Sequence, residues 1–156
     1  MKSEYINPFI QGAQNVLSMV CGAEATLGKL SVRKQPYMSE EIAIKIGVIG
    51  HIIGDVVFTM KPSCACHIAS KMMMGMPVPE LDAMSTSAIS ELTNMISGNV
   101  ATIFSGIEVL VDITPPQFLV NPTSEDFKSI SNDINIVCVP LKFDDEHLFE
   151  IHIAFP

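Results

Sequence analysis

A chain of 156 residues and 17.0 kDa is one domain of ordinary size, 1–156, with enough length to bury a core of its own. Hydrophobic residues at 48% against 17% charged exclude a disordered or tail-like chain. Nine basic against seventeen acidic residues give a formal charge of −8, which argues against nucleic acid and anionic membrane surfaces, because both need clustered Lys and Arg.

Asn7-Pro8 predicts the start of the first helix, with Asn7 as its cap and Pro8 at the first helical position. Phe9, Ile10, Ala13, Val16, Leu17 and Val20 follow helical spacing, and Gly22 is the expected stop. Residues 26–32 read as extended, with a loop at Gln35-Pro36. Ile42, Ile44, Ile46 and Val48 alternate as a half-buried strand, Gly50-His51 is a turn, and 52–60 is a third strand. A short helix is expected from Lys61 to about Met74, stopped by Gly75, and Met76-Pro77-Val78-Pro79 is a rigid connector. The longest helical pattern runs from about Asp82 to Gly106. Three β-rich runs follow, 108–120 with a bulge or edge at Pro115-Pro116, then 134–143 and 148–155, the last two joined by a hairpin at Asp144-Asp145-Glu146.

This order is helix and three strands, a linking helix, then helix and three strands. It predicts an α+β fold of two pseudo-symmetric halves, whose strands form a mainly antiparallel sheet with long helices on one face. The stretch 42–58 is broken by Lys45, His51, Asp55 and three glycines, so it is not a membrane span. Residues 1–5 carry no apolar segment, so no signal peptide is expected. Four cysteines are too few for a disulfide scaffold. The expectation is a cytoplasmic protein.

On the long helix, at about 100° per residue, Ile89, Leu92, Ile96, Val100 and Ile103 form one stripe, widened by Ala88 and Met95. That stripe is expected to pack on the sheet, with Asn99 a buried, hydrogen-bonded amide. The opposite face carries Ser87, Ser90, Glu91, Asn94, Ser97, Gly98, Ala101, Thr102 and Ser105. Solvated helix faces usually carry offset Lys and Glu pairs, whereas this one has a single carboxylate and a single amide among small residues. Small residues let another surface come close, so Ser87, Ser90, Ser97, Gly98 and Ala101 are candidate partner contacts around Glu91 and Asn94. Short polar residues also occur on helices that simply face water or are buried against another element, and spacing alone leaves these readings side by side. A second Glu-x-x-Asn, Glu4-Tyr5-Ile6-Asn7, precedes Pro8 and is set aside because Asn7 reads as a cap.

The run Glu91-Leu92-Thr93-Asn94-Met95-Ile96-Ser97-Gly98-Asn99 resembles the signature of the CheX group in the CheC/CheX/FliY family of bacterial chemotaxis phosphatases. Ile6-Asn7-Pro8-Phe9-Ile10 and the order of elements resemble that group as well, so the likeness covers essentially the full length. The resemblance implies hydrolysis of the aspartyl phosphate of a CheY-type response regulator. Glu91 would pair with the regulator's lysine and Asn94 would orient the attacking water. Mg2+ is expected on the regulator, with no cofactor or metal held by this chain. One site per chain is implied, since the first helix lacks the motif from Phe9 to Val16, and so is a homodimer formed partly by strand pairing. The alternatives are a non-catalytic module of this fold that binds a receiver domain or scaffolds a complex, and a structural dimer.

Elsewhere, Cys64-x-Cys66-His67 lacks a second Cys/His pair that would complete a four-ligand set. His51, His147 and His152 have turn or strand explanations. Met72-Met73-Met74 is an adaptable partner surface or simple packing.

Overall fold

Apolar alternation and two long amphipathic helices produce one layered arrangement. The computed structural model describes residues 3–34, 42–127, 134–144 and 147–155. The order is α1 (Ser3–Cys21), β1 (Thr26–Leu27), β2 (Ser31–Arg33), β3 (Ile42–Gly50), β4 (Gly54–Met60), α2 (Pro62–Met72), α3 (Ala83–Gly106), β5 (Val111–Ile113), β6 (Gln117–Val120), a short 3-10 helix (Ser124–Phe127), β7 (Ile136–Phe143) and β8 (His147–Ala154). The expected loop at Gln35-Pro36 and the hairpin tip at Asp145-Glu146 lie outside the described residues.

All eight strands belong to one antiparallel sheet, ordered β1-β7-β8-β4-β3-β5, with β2 also on β7 and β6 also on β3. The two halves are interleaved. Each contributes a long helix, an interrupted outer strand and a hairpin, and each outer strand pairs with the other half's hairpin. In register, Arg33 lies opposite Ile136 and Val120 opposite Ile42. Where β4 meets β8, Phe58 faces Ile151.

Alternation along the strands sets the two faces. Ile42, Ile44, Ile46, Phe58, Met60, Val139, Leu141, Phe149 and Ile151 turn toward the helices and join the main core. On the reverse face a smaller cluster gathers Ala43, Val57, Ile136, Cys138 and Ala154 with Phe127 of the 3-10 helix.

Several boundaries differ from the sequence reading. α1 begins at Ser3, so Asn7 is no cap and Pro8 lies inside the helix. Pro8 has no N–H to donate to the turn before it, a loss confined to the first turns of the helix, where Glu4 is exposed. The extended run 26–32 is two short exposed strands, broken at Gly28-Lys29-Leu30. The run 108–120 divides at Pro115-Pro116 because proline cannot donate to a ladder. There Thr114 takes over, its Oγ1 accepting from Gly47 N at 2.7 Å and its own N–H donating to Gly47 O at 2.9 Å.

α1 and α3 lie against one another at Gly12. A Cβ there would meet Val100 Cγ2 at 2.7 Å. Phe9 and Phe104 complete the contact edge to face, with centroids 5.8 Å apart.

The same substitution should therefore have opposite signs on the two helices. Gly12→Ala gains helix propensity of at most about 1 kcal/mol, but Val100 is β-branched and cannot swing away, and overpacking costs about 1–3 kcal/mol. A net loss is expected. At Gly98 nothing lies within 4 Å of the added carbon, so Gly98→Ala should stabilise by about 0.5–1 kcal/mol. Urea denaturation of the two variants checks both signs.

Candidate active site on the third helix

α3 is a poor helix by intrinsic propensity, rich in Ser, Thr, Asn and Gly over 83–106. Its start is fixed by Asp82, whose Oδ1 accepts from Ser85 N at 2.8 Å while Ser85 Oγ accepts from Asp82 N at 2.8 Å. The Ser85 backbone N–H, then its hydroxyl, hold the Asp82 carboxyl below its ordinary value. The stabilisation that follows is present above the usual carboxylate range and is lost as pH falls through the lowered value. Further along, Thr93 Oγ1 donates to Ile89 O at 3.1 Å and Thr102 Oγ1 to Gly98 O at 3.0 Å, so two polar side chains are satisfied within the helix.

The buried side of α3 is Ser85, Ile89, Leu92, Thr93, Ile96, Ser97, Val100 and Phe104. The expected stripe is present, with Phe104 rather than Ile103 as its last buried member. Its neighbours are α1, α2, β5 and β6, so the helix layer shares the contact that the sequence reading gave to the sheet alone. Asn99 is half-buried, not buried, and its Oδ1 accepts from Asn15 Nδ2 of α1 at 3.1 Å.

The outer face is open. Ser87, Glu91, Asn94, Gly98, Thr102 and Ser105 are exposed, and Ser90 and Ala101 are half-buried at its margin. Ser97 departs from the expected arrangement. It turns inward beside Thr93, is 8% exposed, and its hydroxyl has no hydrogen-bond partner among the described residues. The physical reason is angular, since Ser97 sits nearer to Phe104 than to Asn94 around the helix axis at about 100° per residue. Glu91 and Asn94 project one turn apart from the same side, and neither makes a hydrogen bond or ion pair with another described residue. A free carboxylate accepts from a cation, and a free amide both donates and accepts. Together on a rigid helix they suit positioning rather than covalent attack.

The other candidates sit elsewhere. Cys64 is buried in the core. Burial pushes the Cys66 thiol up, with the charges of Asp82 and Glu80 adding to it, and burial pushes Cys21 up to about 11. His67 Nε2 lies 2.6 Å from Asp144 Oδ2, and the ring stacks on His147 at 4.2 Å. Among the described residues no three His, Cys, Asp or Glu side chains gather as a metal site. His51 is held in its turn, Nδ1 accepting from Leu110 N at 3.1 Å, and His152 is buried on its strand, 2.9 Å from Glu150.

Residues 42–140 match the family described as Chemotaxis phosphatase CheX. The chain is similar to the CheY-P phosphatase CheX of Thermotoga maritima, 29% identical over 154 residues that span 99% of this chain and 97% of that protein. It is similar in structure to a CheC-like superfamily protein from Shewanella sp. PV-4, at TM-score 0.84 and 22% identity, covering 100% of this chain and 99% of that one. A chain of the CheX–CheY–BeF3–Mg2+ complex from Borrelia burgdorferi is similar at TM-score 0.77 and 25% identity, with 97% of each chain covered.

Ser97 gives a direct check on the geometry. Ser97→Ala removes a buried hydroxyl without a partner, whose desolvation costs about 1–3 kcal/mol. The variant should be as stable as the parent or more so in urea. A loss beyond about 1 kcal/mol would mean that the hydroxyl has a partner.

Proposed function

The chain belongs to the chemotaxis phosphatase CheX family, and on that premise we propose that it hydrolyses the aspartyl phosphate of a CheY-type response regulator through Glu91 and Asn94. The observation that carries the reading is the pairing of one carboxylate and one amide, neither with a side-chain partner among the described residues, on an otherwise small-residue helix face. Phosphoryl transfer needs in-line geometry and charge stabilisation more than covalent chemistry. Glu91 takes the regulator's lysine and fixes the two proteins in register. Asn94 then enters beside the acyl phosphate, where its amide holds a water for attack on phosphorus. The P–O bond to the aspartyl group breaks, giving inorganic phosphate and a free carboxylate. An amide suits this task because it orients water without having to change protonation state.

The Mg2+ belongs to the regulator's own acidic pocket in this reading, and the Borrelia burgdorferi complex of CheX with CheY, BeF3 and Mg2+ supports such a pairing. We place the reaction in the cytoplasm with its substrate; among the described residues no helix is long and apolar enough to cross a membrane. The protein acts as a homodimer formed through sheet edges. The split strands at both ends of the sheet support this, with exposed Val32 on one and Val120 on the other.

The decay of a phosphorylated CheY-type regulator from the same genome, with and without the protein, tests the reading. Acceleration is expected. Asn94→Ala should remove at least about a hundredfold of it while the circular dichroism spectrum is unchanged, because the side chain is exposed and unpartnered. Glu91→Gln should weaken regulator binding and turnover together by about tenfold or more, the scale of a lost charge-assisted hydrogen bond. Wild-type rates in either variant would remove that residue from the mechanism.

A further inference from the structure

Between the end of α2 and the first turns of α3 lies a shallow groove of about 580 Å³, walled by Met72, Met73, Ala83, Met84, Ser87 and Ala88 and closed by Glu91. We infer that this groove is a docking subsite for an apolar side chain of the response regulator, beside the lysine that Glu91 receives. The inference rests on the function proposed above and adds to it a surface that selects the partner.

Two observations point to it. The first is where the methionines are. Five of the chain's ten, Met72, Met73, Met74, Met76 and Met84, fall within thirteen residues. Three of them, Met72, Met73 and Met84, line the groove together, Met72 and Met73 half-buried and Met84 64% exposed. Scattered exposed apolar residues need no explanation, but a contiguous set marks an interaction surface. Methionine is also the apolar side chain best able to adapt to a partner.

The second observation is continuity. Glu91 belongs both to the groove and to the Glu91–Asn94 pair, and it is the groove's single charged residue. An occupant complementary to this lining is apolar, with one cation at its end. Met84 and Glu91 are seven residues apart and so share one stripe of α3, which places the groove directly beside the point where the regulator's lysine would be received.

The test is steady-state dephosphorylation of the phosphorylated regulator by the full chain, reading KM and kcat separately. Met84→Gln keeps the shape and length of an exposed side chain, and should raise KM about tenfold, the scale of one methionine withdrawn from an apolar contact. The loss should fall on KM rather than kcat, Met84→Leu should restore it, and Met73→Gln combined with Met84→Gln should raise KM further. Met19→Gln, at an equally exposed position on α1 outside the groove (66%), should leave KM where it was. An unchanged KM in Met84→Gln beside an active parent overturns the docking subsite and leaves the phosphatase reading standing. So does a change of oligomeric state in sedimentation without a change in KM, which would assign the groove to a second copy. A parent that accelerates no regulator overturns both.

Discussion

Everything at the candidate site depends on the burial of one side of α3 against α1 and the sheet. A helix with this much Ser, Thr, Asn and Gly has little stability of its own. It persists because Ile89, Leu92, Ile96, Val100 and Phe104 are fully buried, each a side chain whose removal from water is worth about 1.5–3 kcal/mol. The Asp82–Ser85 capping box fixes where the helix begins, and Gly12 lets α1 approach closely enough to seal it. With the inner side so constrained, the outer face needs no strong helix formers. It is free to carry small residues and a pair of unpartnered polar ones.

That freedom matters for a protein whose proposed substrate is another protein. A face of ordinary Lys–Glu pairs would have to be desolvated before any partner could approach, at a cost per charge that good pairing barely returns. Here Glu91 and Asn94 stand among serines and Gly98, so only one charge and one amide lose water, and each has a specific group to gain in the proposed complex. A formal charge of −8 gives no long-range attraction toward a phosphorylated, acidic pocket. Affinity in that case comes from short-range contacts, and the methionine groove beside Glu91 is an apolar surface placed to supply them.

Much of this was legible in the residues because period and punctuation are strong signals. The alternation in β3 and the 3.6-residue repeat of α3 follow from burial on one side, and both elements lie close to where the pattern puts them. The failures have local causes. Asn7-Pro8 has the form of a helix start, yet Ser3 to Ile6 continue the helix because Ile6 is drawn into the core. Ser97 reads as outward by residue type, but its angle decides, and a small hydroxyl is cheap enough to bury. The Met72-Met73-Met74 run is conspicuous in the sequence, but the groove is not, since it exists only where the end of α2 meets α3 and no spacing in one segment reports the approach of another.

The interleaved halves explain why a single helix carries the pair. Asn15 and Asn99 hydrogen-bond to each other, and each lies seven residues before a glycine near the end of its helix, Gly22 just past α1 and Gly106 the last residue of α3. They correspond in position within the two halves and meet where α1 packs on α3. Each is followed by a buried valine, Val16 and Val100, a short echo of the duplication that the sequence hides elsewhere. Counting back by the same offset, Glu91 corresponds to Asn7 and Asn94 to the half-buried Ile10. The Glu4–Asn7 motif does lie on a helix, but about one turn out of step with the face that Glu91 and Asn94 occupy. An apolar residue at the amide's position can neither hold a water nor stay fully solvated, so α1 serves as the wall against which α3 is set. The two halves supply similar helical frames buried against one another, and the residues one turn further out decide which of them presents the Glu–Asn pair.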